Sequence, residues 1–95
     1  MPRLIFSENA IRDLSRMQEF LREKSPEAAL RARDMILTSL NSLIDFPEAN
    51  RPVSEVPGHR ELVIKFGSGC YVARYHYSFG SDVVVLFVKH QREVV

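Results

Sequence analysis

The chain has 95 residues, enough for one compact core and too few for two. Its 45% hydrophobic and 26% charged content excludes an intrinsically disordered chain. Lys and Arg number 13 against 12 Asp and Glu, a formal charge of +1 that excludes nucleic-acid binding through a whole-molecule field, so any basic site is local.

The single cysteine, Cys70, excludes an internal disulfide scaffold, fits a reducing cytosol, and reads as a small hydrophobe on a strand. No run approaches the roughly 20 apolar residues that span a bilayer. The segment from Met1 to Glu8 lacks the apolar region of a signal peptide. Residues 1–95 are therefore expected to form a single domain, cytoplasmic and without membrane association.

Arg3 to Phe6 is a short apolar run, a first strand. Ser7 can cap a helix there, and Glu8 suits the positive end of the helix dipole. Ile11, Leu14, Met17 and Leu21 recur at three- and four-residue steps, which predicts one amphipathic helix with these residues as its buried stripe. Ser25-Pro26-Glu27 signals a second helix start, since Pro at the first helical position loses no needed hydrogen bond. Ala29, Ala32, Ile36, Leu40 and Leu43 continue at helical spacing until Pro47 stops the run, so the two helices form a hairpin.

Pro47, Pro52 and Pro57 fall within residues 47–58, and Pro57-Gly58 marks a turn; the segment reads as a connecting loop. From His59 the period changes to two: Leu62, Ile64 and Phe66 share one side, Glu61, Val63 and Lys65 the other. Gly67-Ser68-Gly69 separates this strand from Cys70–Tyr77, and residues 79–82 separate that one from Val83–Lys89. Val83 to Val88 is apolar on both faces, as expected of a central strand. The predicted fold is α+β, order β-α-α-β-β-β: an N-terminal strand and a two-helix hairpin packed on one face of a mostly antiparallel sheet.

Phosphate-binding glycine loops, Cys/His zinc arrays and Gly-x-Ser-x-Gly turns are all missing, so no cofactor or metal is expected. What stands out is a set of basic and imidazole side chains on the last strands: Arg60, Lys65, Arg74, His76, Lys89, His90 and Arg92. Guanidinium groups bind phosphate bidentately or stabilise developing phosphate charge, and an imidazole exchanges protons near neutral pH, as an RNA-cleavage or RNA-binding site requires. The alternative is a solvated face with ordinary ion pairs to Glu61, Asp82 and Glu93. Tyr71, Tyr75 and Tyr77 share a side and read as sheet packing, His59 as a loop-adjacent residue.

The order of elements, together with Pro57-Gly58-His59-Arg60-Glu61-Leu62, Tyr71-Val72-Ala73-Arg74-Tyr75 and His90-Gln91-Arg92-Glu93, resembles the RelE/ParE toxin superfamily over nearly the whole chain. The resemblance implies a toxin neutralised by a cognate antitoxin, whose flexible segment covers the target-facing surface and which itself binds operator DNA. It implies target binding by Arg60, Lys65, Arg74, His90 and Arg92. RelE-like members cut messenger RNA on the ribosome, which would make Arg60, Arg74 and His90 catalytic. ParE-like members poison DNA gyrase. RNA cleavage needs a base, an acid and a cation for the phosphate. His90 and Arg74 fill two roles, and Glu61 or a sheet tyrosine is left for the third. The nuclease branch often ends in a tyrosine, in some members directly after the histidine. Here Gln91 follows His90 and Val95 is the last residue, so the expectation is a gyrase poison, with the ribosome-dependent endoribonuclease and a non-toxic relative as alternatives.

Overall fold

A computed structural model describes residues 2–93, the last without its side chain, so the expected Glu93 ion pair lies outside what is described. The elements run β1 (Leu4–Phe6), α1 (Glu8–Lys24), α2 (Pro26–Asp45), β2 (Arg51–Pro52), β3 (His59–Phe66), β4 (Gly69–His76), β5 (Val83–His90) and a closing 3-10 turn (Gln91–Glu93). This is the predicted α+β order, with one addition: β2 is a two-residue strand inside the segment read as a loop.

Serine caps set both helices. Ser7 Oγ accepts the Ala10 N–H at 3.1 Å. Ser25 does double duty: its N–H donates to Leu21 O at 2.8 Å, ending α1. Its Oγ accepts the Ala28 N–H at 3.2 Å and starts α2 one residue later, with Pro26 at the first position. Gln18 Nε2 donates to Ala29 O at 2.7 Å and ties the two helices together.

The five strands form one sheet in the order β1-β5-β4-β3-β2. β1 runs parallel to β5, pairing Leu4 with Val83 and Phe6 with Val85, and the other neighbours are antiparallel. β3 and β4 pair Phe66 with Gly69 across a two-residue turn in which Gly67 has φ +62°, the left-handed conformation such turns require. Between β4 and β5 the register slips at Arg74/Tyr75, so Leu86 is a bulged extra residue.

The helices cover one sheet face. Ile36, Leu40 and Leu43 of α2 meet Ile64, Tyr71, Ala73, Tyr75, Val83, Val85 and Val88 of the sheet in a single core. Each fully buried Leu or Ile there stabilises the fold by about 2 kcal/mol. All of the apolar positions predicted for α2 are buried. In α1 the stripe is rotated from the expected one: Ala10 and Asp13 are buried, Leu14 and Met17 pack against the core, and Ile11 is 54% exposed. A small alanine lets the helix approach the sheet closely, and that approach decides which neighbour turns inward. β5 is an interior strand between β1 and β4 rather than the central one, and only its core side is sealed; Val84 and Phe87 are half-buried on the face no helix covers.

Candidate functional site

Strand alternation and register sort the basic residues onto two faces. Glu61 pairs with Arg74, and Lys65 with Cys70, so these side chains share the open face with Val63 and His76. Arg60 pairs with Tyr75 and His90 with Tyr71, two core-facing tyrosines. Both therefore lie on the helix side. They sit four residues apart along β4, about 13 Å at a strand's rise. The structure does not gather Arg60, Arg74 and His90 at one place.

On the open face a row of charges crosses the sheet. Arg51 Nη2 of β2 donates to Glu61 Oε1 at 3.5 Å, and Arg74 Nη2 donates to Glu61 Oε2 at 2.8 Å. Arg74 also stacks over the Phe87 ring, 5.3 Å from its centroid. Glu61 is one acid between two guanidiniums, and Lys65 extends the positive side. At the end of this face His59 and His76 meet edge to face at 5.6 Å. Partial burial, with His76 and Arg74 adding charge repulsion, holds the His59 imidazole below its ordinary pKa.

Arg60 is occupied by the chain itself. Its Nη1 donates to Asn50 O at 2.6 Å and Glu48 O at 3.1 Å. Beside it the buried Tyr75 hydroxyl donates to Pro47 O at 2.9 Å and accepts from Asn50 Nδ2 at 3.2 Å. Burial pushes the Tyr75 pKa up, against smaller lowering from Asn50 and Arg60. Arg60 and Tyr75 together fasten residues 47–50 to the sheet.

His90 lines a pocket of about 390 Å³ between α1 and the end of the sheet. Met17, Phe20, Tyr71 and Val88 form its apolar lining, and Asp13, Arg16 and Arg92 complete it with His90. The imidazole edge meets the Tyr71 ring at 5.4 Å, and His90 Nδ1 accepts the Arg92 backbone N–H at 3.2 Å. An accepting Nδ1 leaves the proton of a neutral ring on Nε2. Asp13 Oδ1 draws in Lys89 Nζ at 3.2 Å and Arg16 Nη2 at 3.4 Å. Such a pocket suits a ligand with an anionic group and an apolar body.

The sequence reading missed the α1 contribution to this pocket, because nothing in the chain says where a helix lies against a sheet edge. It also missed the face of Arg60, where a signal existed. The period of two that puts Leu62 and Ile64 on one side of β3 puts Arg60 on the same side.

Strand, helical hairpin and bulged meander, with cations sorted onto both sheet faces, define a protein of the RelE/ParE toxin superfamily. The chain belongs to the ParE toxin family, the toxin of the type II toxin–antitoxin system parDE, whose sequence profile matches residues 4–95. Toxin RelE1 of Caulobacter vibrioides is 37% identical over 90 residues, 95% of this chain and 94% of the relative. Toxin RelE3 of the same organism is 33% identical over 84 residues, 88% of each chain. A chain in the structure of the chromosomal ParDE toxin–antitoxin system from P. aeruginosa superposes with a TM-score of 0.75 at 26% identity, covering 95% of this chain and 96% of that one. No described helix is long and apolar enough to cross a membrane.

Proposed function

We propose that this toxin inhibits growth in the cytoplasm by binding and poisoning DNA gyrase, and that a cognate antitoxin, itself an operator-DNA binder, neutralises it. The observation that carries this reading is the dispersal of the nuclease set. Arg74 is engaged by Glu61 on the open face, Arg60 by the carbonyls of residues 48 and 50, and His90 stands apart from both. Phosphoryl-transfer chemistry needs its acid, base and cation within contact of one phosphate. A surface that grips a protein target has no such requirement. The test is a supercoiling assay with purified toxin and gyrase. Loss of supercoiling with accumulation of cleaved DNA is expected, and normal supercoiling at growth-arresting toxin levels defeats the reading.

The ribosome-dependent endoribonuclease is a second reading, favoured by the pocket in which His90 meets Tyr71 beside Arg16 and Arg92. In it His90 transfers protons and the two arginines hold phosphate. Primer extension on messenger RNA after induction separates the two, because only the nuclease creates new ends within translated frames.

A further inference from the structure

The open sheet face carries a pattern that its internal contacts leave unbalanced. Arg51, Lys65 and Arg74 stand against Glu61 alone at its centre, giving an excess of positive charge across β2, β3 and β4. Apolar surface lies among them: Val63 is 47% exposed on β3, and Phe87 is half-buried on β5. Among the described residues, the buried side-chain nitrogens without a hydrogen-bond partner are His59 Nδ1 and Arg74 Nε, and both belong to this face. Buried polar atoms without a partner are rare in folded proteins because each forfeits its bonds to water. Arg74 Nε is a donor in every protonation state, so it marks a place where this face lacks an acceptor; His59 Nδ1 is unpaired whichever ring nitrogen carries the proton.

We infer that the open sheet face is the surface by which the toxin grips its target, and that the target presents an acidic segment with an apolar residue seated on Val63 and Phe87. Target carboxylates reach Lys65 and Arg51 and join Glu61 on Arg74. Arg74, whose side chain is 27% exposed, thereby gains a second acceptor without losing the first. The central carboxylate and the exposed valine argue for a protein partner over nucleic acid, whose phosphates Glu61 would repel. The inference rests on the reading of the chain as a target-binding poison, and it assigns that role to the face opposite the helices and the His90 pocket.

The test uses the full chain carrying Arg51→Glu with Lys65→Glu, two exposed positions whose reversal leaves the core intact. A second variant exchanges the half-buried pair, Glu61→Arg with Arg74→Glu. Arg31→Glu on the exposed side of α2 is the charge-reversal control away from the face. Growth arrest on induction, affinity for purified gyrase and affinity for the antitoxin are read side by side, with thermal melts to verify folding. The expected result is loss of growth arrest and at least about a tenfold loss of gyrase affinity for Arg51→Glu/Lys65→Glu; antitoxin affinity falls as well if the antitoxin's flexible segment covers this same target-facing surface. Arg31→Glu is expected to behave as the unmodified chain.

Retained growth arrest in a folded Arg51→Glu/Lys65→Glu variant overturns the inference. Loss of antitoxin affinity with growth arrest retained makes the antitoxin the occupant and overturns it as well. A dimer that this variant dissociates, or tight salt-sensitive binding of a short DNA or RNA duplex that it abolishes, also overturns it. Growth arrest reads the face whatever the target is. If the unmodified toxin leaves gyrase untouched while the variant loses toxicity, the gyrase assignment fails and the face assignment stands.

Discussion

Asp13 of α1 accepts the backbone N–H of Val88 at 3.1 Å, a bond that joins residues 75 apart in sequence. β1 pairs with β5 only as far as Val85, so beyond that point β5 has no strand on this side. A helix carboxylate takes the place of the missing strand. The same carboxylate holds Lys89 and Arg16, and it is 5% exposed.

Asp13→Ala leaves the Val88 N–H unpaired and strips Lys89 of its partner. The expected cost is about 2–4 kcal/mol. Asp13→Asn keeps an acceptor for Val88 and costs less than the alanine variant. Urea unfolding checks both, read as a lower midpoint at unchanged slope.

Gly58 and Gly67 make a matched pair. Both have positive φ, +81° and +62°, but a Cβ on Gly58 would stand 2.7 Å from His76 Nε2, whereas one on Gly67 meets nothing within 4 Å. Gly67→Ala is expected to cost about 1 kcal/mol from backbone strain alone. Gly58→Ala carries that strain and must also displace the His76 ring, so it costs more. The difference between the two midpoints in one denaturation series measures the imidazole contact.

His59 sets a pH dependence of stability. Its folded pKa lies below the ordinary value of 6.5. Between those two values the unfolded chain binds the proton and the folded chain does not, so protons favour unfolding. The contribution of His59 is fully present above pH 6.5 and is lost as pH falls from there through the folded pKa. His59→Gln is expected to flatten the fall in melting temperature across that window and to leave it unchanged at pH 8. Melts at matched ionic strength check this.

Tyr75→Phe removes the hydroxyl bonded to Pro47 O and Asn50 Nδ2 and leaves the ring in the core. A loss of about 1–2 kcal/mol is expected. Arg60→Met frees the carbonyls of residues 48 and 50 and is expected to act on the same segment, so the double variant should cost less than the two single costs combined. Faster amide exchange at Ala49 and Val53, without a change at β5, would be the matching local signal.

The amino-acid sequence by itself determined the two helices, the strands other than β2 and their order. The serine caps, the prolines at 26 and 47 and the switch from a three-to-four-residue period to a period of two are local, and local geometry follows from them. The superfamily was legible for the same reason, since its motifs are short runs within strands. Assigning residues to one side of a strand was also local, and Val72, Arg74 and His76 do share a face.

Only the tertiary structure decided what each cation meets. Arg60 follows the alternation of its own strand, with Leu62 and Ile64, to the helix side, and there the folding back of residues 47–50 supplies the carbonyls that hold it. The approach of α1 to the exposed edge of β5 turns Ala10 inward and Ile11 outward. It also brings Asp13 and Arg16 to His90 from across the chain. Such contacts depend on how far a helix sinks onto a sheet, a property of side-chain volumes summed over both partners, and no window of sequence contains it.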